Sequence, residues 1–279
     1  MGPPRVSQET DDAQHGRRLP EVCHILAKSE ECTLPARPPP ARSALLAALA
    51  ALLPWAAFAG TTLYDPALGT LPSGQGWQPM VVGGAAGQSV GAGVYALDTT
   101  GADVAYWGNA WASPLPLDTQ TGFDISFSLQ LLGETHTSPN RAGYALVVQG
   151  AQAMQALELG FWTDHIWAQR YDASQPDRLV HDIDVAFDTR AALTVYTLAV
   201  RQQQFTLSAG GNALLSGALR DYTARGWPYT TPNFLFLGDN SSRGDSTSRL
   251  GGVSLSPVPE SAAGVLLALG LAGLALRRR

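Results

Sequence analysis

Residues 123–131 run Phe-Asp-Ile-Ser-Phe-Ser-Leu-Gln-Leu. Apolar and polar side chains alternate without a break, with Phe123, Ile125, Phe127, Leu129 and Leu131 on one face and Asp124, Ser126, Ser128 and Gln130 on the other. A period of two is the signature of a half-buried antiparallel strand, because successive side chains of an extended backbone point to opposite faces. Outward from this strand the same period predicts others: Gly143–Gln149, Ala156–Trp162, His165–Gln169, Thr194–Val200, Gln204–Ala209, Asn233–Leu237 and Gly251–Ser256. Segments rich in glycine and proline separate them, "AGGNALLSG" (209–217) among them. No long helical stripe, heptad or fixed-period repeat interrupts the pattern. Many short strands of this kind predict an all-β fold, an antiparallel two-sheet sandwich.

Composition narrows the partners. The chain has 279 residues, and its one lysine, Lys28, lies before residue 60. Between Gly60 and Ser256 nine arginines face fourteen aspartates and two glutamates, a net charge of −7. A lysine-free acidic domain lacks the clustered cations that neutralise phosphate, so nucleic acid is excluded as a partner. Both cysteines, Cys23 and Cys32, precede the sandwich, whose stability must therefore come from packing rather than disulfides.

The two ends carry apolar segments. In "ARPPPARSALLAALAALLPWAAFAGTTLYD" (36–65), Arg37 and Arg42 precede the apolar run Ala44–Leu53, and Ala57-Phe58-Ala59 follows as a small-x-small site. That order predicts a signal peptide over 35–59, cut by signal peptidase after Ala59, with Ala57 and Ala59 the recognised small residues. Residues 1–34 are polar and of mixed charge, and are expected to lie outside the fold, as a disordered extension or as sequence upstream of the true start. At the other end Ser261–Leu276 is sixteen residues without a charge, followed by Arg277, Arg278 and Arg279. As a helix this run rises about 24 Å, somewhat short of a hydrocarbon core of about 30 Å, and arginines can snorkel across the difference. The positive-inside rule keeps both arginine groups cytoplasmic and places the domain between them outside the inner membrane. A GPI signal ends without charge, and a sortase signal carries Leu-Pro-x-Thr-Gly; neither pattern is present. A plain anchor and a transient sorting tag remain.

Val258-Pro259-Glu260, the apolar run and the arginine cluster together resemble the PEP-CTERM sorting signal of Gram-negative bacteria; Ser261 stands where the family carries a second proline. The resemblance implies cleavage near Pro259-Glu260 by an exosortase-type membrane protease, with the domain first held in the inner membrane and then delivered to the cell surface or the extracellular space. Proline cannot donate a backbone hydrogen bond, so the segment before Ser261 stays extended and open to a protease, with Glu260 favouring the helix N-terminus. The domain boundaries predicted are 60–256 for the sandwich and 257–279 for the sorting signal, its helix spanning 261–276. Within the sandwich, "LYDPALGTLPSGQGW", "RAGYALVVQ", "LELGFWTDHIWAQ", "YTLAV", "LLSGALRDY" and "PNFLFLGDNSS" are similar to the choice-of-anchor class (type Y) of exported bacterial domains. That resemblance implies a concanavalin-A-like, laminin-G-like jelly roll and brings no reaction with it.

One segment suggests a site. If Thr163-Asp164 is a two-residue turn in 157–169, Trp162 faces His165, Gly160 faces Trp167 and Glu158 faces Gln169, all on one side. Leu157, Leu159, Phe161, Ile166 and Ala168 form the opposite, core side. Two indoles with a carboxylate, an imidazole and an amide suit a glycan, since indoles cover C–H faces and polar groups bind hydroxyls. The competing reading has Trp162 and Trp167 packed beneath a loop or the second sheet. Glycoside hydrolysis needs two carboxylates flanking the bond. After Glu158 its face of the strand continues with Gly160 and Trp162, and although "HDIDVAF" aligns Asp182 with Asp184, no glutamate joins them. A non-enzymatic surface or matrix protein, with polysaccharide as its candidate ligand, is therefore expected; a jelly-roll glycan hydrolase or lyase is the alternative. His136, His165 and His181 lack helical metal-ligand spacing. Gly87-Gln88-Ser89-Val90-Gly91 has the Gly-x-Ser-x-Gly spacing, but no helical pattern follows it, so it does not read as a nucleophile elbow. The glycines of "VVGGAAGQSVGAGV" (81–94) match no phosphate loop and are expected to form an open loop. No cofactor is required; the weaker candidate is calcium, for which "GDNSSRGDSTS" (238–248) offers Asp239, Asn240, Ser242 and Asp245 as oxygen donors.

Overall fold

The computed structural model describes residues 60–109, 114–175 and 178–258. The signal-peptide segment with Ala57 and Ala59, and the tail from Pro259 onward with Glu260 and Arg277–Arg279, lie outside the described residues. Among the described residues no helix is long and apolar enough to cross a membrane.

Among the described residues fifteen strands form two antiparallel sheets. The first sheet has the order β13 (Asn212–Ala218), β12 (Gln204–Ala209), β11 (Thr194–Arg201), β6 (Phe123–His136), β15 (Gly244–Pro257), β4 (Val94–Asp98), β3 (Gly87–Gly91), and β1 (Thr61–Tyr64) also pairs with β15. The second sheet runs β10 (Leu179–Ala186), β9 (His165–Tyr171), β8 (Ala156–Phe161), β7 (Tyr144–Gln149), β14 (Phe234–Asp239), β5 (Val104–Asn109), β2 (Trp77–Val82). Every strand expected from the alternation is present with shifted ends: Gly143, Trp162 and Asn233 fall outside theirs, whereas β6 runs on to His136.

Three expectations need correction. Residues 81–94 are not an open loop: they contain β3 and the turn into β4, where Ala92 and Gly93 take φ of 51° and 72°. Such positive φ values make the two-residue hairpin turn whose twist matches paired strands. Residues 212–217 belong to β13 rather than to a turn; only Gly210 and Gly211 turn the chain. The last strand starts at Gly244, seven residues before the expected Gly251, and its first five residues lie inside the predicted calcium loop.

The core fills the space between the sheets. Phe123, Ile125, Phe127, Leu129 and Leu131 are buried, and Phe127 stacks on Tyr196 at 5.3 Å within its sheet. Across the interior it meets Phe161 of the second sheet edge to face at 6.2 Å. Full burial of each such side chain contributes about 1.5–3 kcal/mol. The second sheet is also covered on its outer face. There Tyr106, Ala145, Val147, Ala156, Phe234 and Phe236 pack with Tyr222 and Tyr229 from the connection between β13 and β14. Consequently β7, β8 and β14 are buried at every position.

Candidate functional site

The β8–β9 hairpin has the register expected of it. Gly160 opposes Trp167, and Trp162 N donates to His165 O at 2.9 Å across the Thr163-Asp164 turn. Leu157, Leu159, Phe161, Ile166 and Ala168 enter the core. Glu158, Trp162, His165, Trp167 and Gln169 share the outer face. Their exposure divides them: Glu158 and Gln169 are 1 % exposed and Trp167 is fully buried, whereas Trp162 and His165 are half-exposed. Packing out of solvent's reach therefore describes Trp167 and not Trp162.

Gly160 makes the arrangement possible. A Cβ there would lie 2.4 Å from the Trp167 ring, so the indole rests flat on bare backbone. His181 stacks on Trp167 with ring centroids 3.9 Å apart, and Trp162 crosses it at 4.6 Å. His136 stacks on Trp162 at 4.0 Å with planes 5° apart. The His136 Nδ1 lies 3.0 Å from Glu134 Oε1, which holds the ring in place, while burial raises the Glu134 carboxyl above its usual range. His165 lies 3.1 Å from Asp164 Oδ1, and this neighbour lowers the Asp164 pKa. The result is an aromatic and imidazole stack whose outer edge, formed by Trp162, His136 and His165, reaches solvent.

His181 reaches this stack through a β-bulge. The ladder slips between His181, opposite Gln169, and Ile183, opposite Ala168. Simple alternation would send His181 inward with Ile183. The extra residue, Asp182, lets both His181 and Asp184 face outward. Burial pushes the His181 imidazole down to about 4, against the opposing pull of Asp184.

Glu158 is closed off. Arg141 donates to its Oε1 at 3.3 Å and Asn240 Nδ2 at 3.4 Å; the Tyr229 hydroxyl donates to Oε2. Arg141 also donates to Asn240 Oδ1 at 2.8 Å, and its own carbonyl accepts from Trp162 Nε1 at 3.0 Å. Burial and the Glu158 charge hold the Tyr229 hydroxyl well above its ordinary pKa. Glu158 is thus buried and held by a guanidinium, an amide and a phenol together.

The predicted calcium donors diverge. Asp239 continues the inward parity of Leu235 and Leu237, is fully buried, and accepts from Ser241 N at 2.8 Å. Asn240 turns outward to Arg141 and Glu158. Asp245 lies in β15 as a paired strand residue. Among the described residues no three His, Cys, Asp or Glu side chains are grouped to hold a metal ion. Ser242, the fourth donor, lies between β14 and β15.

Arg141, Tyr229, His136 and His181 carry no local pattern that singles them out in the sequence, and neither does Trp227. Trp227 is 47 % exposed on the same sheet face, its ring 6.4 Å from Tyr106.

No family model matches the sequence, and no curated protein matches it. Among solved structures, the conserved carbohydrate esterase from the Shiga toxin-encoding bacteriophage phi24B superposes with a TM-score of 0.52 at 15% identity, covering 72% of this chain and 100% of that one. The chain folds as a jelly roll. The laminarinase from Rhodothermus marinus aligns at a TM-score of 0.47 and 11% identity over 72% of this chain and 99% of that one. A Bacillus subtilis protein with a galectin-like fold aligns at 0.42 and 12%, covering 71% and 96%. At these identities the likeness is one of fold, and what the jelly roll does must come from its own residues.

Proposed function

We propose that this chain is an exported jelly-roll protein that binds glycan without turning it over. On this reading signal peptidase removes residues 35–59, the PEP-CTERM-like tail holds the protein briefly in the inner membrane, and an exosortase-type protease delivers it to the cell surface or matrix. The sequence supports the route: two apolar segments with arginines on their cytoplasmic sides bracket a domain of net charge −7. The glycan reading rests on one observation above others. Trp162, with His136 and His165, stays open to solvent on the outer face while Glu158 beneath it is tied to Arg141 and Tyr229. A half-exposed indole edge between two imidazoles offers apolar surface beside polar groups for a sugar ring, whereas a carboxylate held this way is poorly placed to transfer protons.

The test is the full-length chain in a non-glycosidic detergent on a glycan array, followed by a reducing-end release assay. Binding without release, weakened by Trp162→Ala, is the expected result. Release that disappears in Glu158→Gln would overturn the reading in favour of a hydrolase. For the route, Arg277–Arg279 replaced by Ser should reduce tail processing in cells; unchanged cleavage would argue for a plain anchor.

A further inference from the structure

On the outer face of β9 and β10 Trp167 Nε1, Gln169 Oε1 and His181 Nε2 have no hydrogen-bond partner within the protein, and a fourth atom, His165 Nδ1, has only the Asp164 carboxylate 3.1 Å away. Buried groups are normally paired, so a concentration of orphans on one strand pair asks for a reason. Gln169 sits opposite His181 in the ladder, and the Trp167 ring is stacked on His181. Trp167 Nε1 is a donor, Gln169 Oε1 an acceptor, and a neutral imidazole nitrogen takes either part. His181 is held neutral by burial, with its pKa down at about 4. A donor beside acceptors complements the O–H of an alcohol, which both gives and receives.

Charge argues against an acidic ligand. Asp182 and Asp184 flank the patch on β10, and the arginines around it are paired: Arg220 with Asp182, Arg170 with Asp172 and Asp182, and Arg141 with Glu158. The patch is covered by the turn through Asn140. Gln169 Nε2 donates to Asn140 O at 2.9 Å, and His181 N donates to Asn140 Oδ1 at 3.4 Å.

The geometry points to a hydroxyl-binding subsite for a neutral sugar ring beneath the Asn140 turn, continuous with the Trp162 face and entered when that turn lifts. It deepens the glycan reading and rests on it: the solvent-facing edge of Trp162, backed by His136, borders the sugar, while Trp167, Gln169 and His181 take hydroxyls.

The full-length chain in a non-glycosidic detergent is titrated with soluble neutral polysaccharides (a β-glucan, a mannan and a galactan) and with alginate, following tryptophan fluorescence and heat. A neutral polymer should bind and alginate should not. His181→Phe, which keeps the stack on Trp167, and Gln169→Leu should each weaken binding by about tenfold, with the thermal midpoint of His181→Phe confirming a folded protein. Binding lost in Trp162→Ala but unchanged in His181→Phe overturns the subsite and leaves the glycan reading standing. Tighter binding of alginate overturns the neutral class. No binding of any polymer by the unaltered chain removes both.

Discussion

The two sheets use the same alternation and put it to different ends. The first sheet keeps one wet face: Ser126, Ser128, Thr197, Thr206, Ser208 and Ser254 are half-exposed between buried Phe127, Leu198, Leu207 and Leu255. The second sheet has none over β7, β8 and β14, because the β13–β14 connection and the Asn140 turn lie over its outer side. Polar groups on a wet face are solvated and interchangeable. On a covered face each must find a partner or bear the cost of burial. The second sheet thus concentrates the chemistry: an ion pair, an aromatic stack and the orphaned polar atoms.

The sharpest way to break this comparison is to strand a charge under the cover. Arg141→Ala leaves Glu158 buried without its guanidinium and is expected to cost about 3–5 kcal/mol in urea unfolding, whereas Arg141→Met with Glu158→Leu should recover most of that. Recovery failing would mean that Arg141 acts through more than the pair. A second effect belongs to the seam where β14 meets the first sheet. Burial pushes the Asp239 carboxyl up to about 8, so it is protonated in the fold at neutral pH while the unfolded chain ionises near 4. Its stabilising contribution is therefore complete at low pH and is lost as pH rises through 8. Between pH 6 and 8 unfolding free energy should fall on the order of 2 kcal/mol, and Asp239→Asn should flatten that slope. Of similar size is Gly160→Ala, whose Cβ would displace the Trp167 ring. It should cost about 1–3 kcal/mol as overpacking, whereas Thr197→Ala on the wet face should stay within about 0.5 kcal/mol. Equal losses at the two positions would erase the distinction between the faces.

Legibility did not divide by sheet. In the first sheet β6 and β12 announce themselves, since a solvated face and a buried face alternate residue by residue in "FDISFSLQL" and in Gln204–Ala209. The expected strands leave out β1, β2, β4, β5 and β10, and at glycine-rich β3 and at β13 behind Gly210-Gly211 small side chains offer little contrast between faces. Of the candidate site, the shared face of Glu158, Trp162, His165, Trp167 and Gln169 could be inferred, because a two-residue turn leaves only one register. Their burial could not, since Arg141, Asn240 and Tyr229 arrive from other parts of the chain.

By itself the sequence determined the period of two, the hairpin register and the acidic, disulfide-free character of the sandwich, all of which depend on neighbours along the chain. Only the tertiary structure decided that Glu158 is an inward-held ion pair, that the bulge at Asp182 turns His181 outward onto Trp167, and that Asp239 and Asn240 part company. The reason is physical: alternation records which face a side chain takes, whereas burial depends on what later covers that face, and here the cover comes from segments up to 82 residues away.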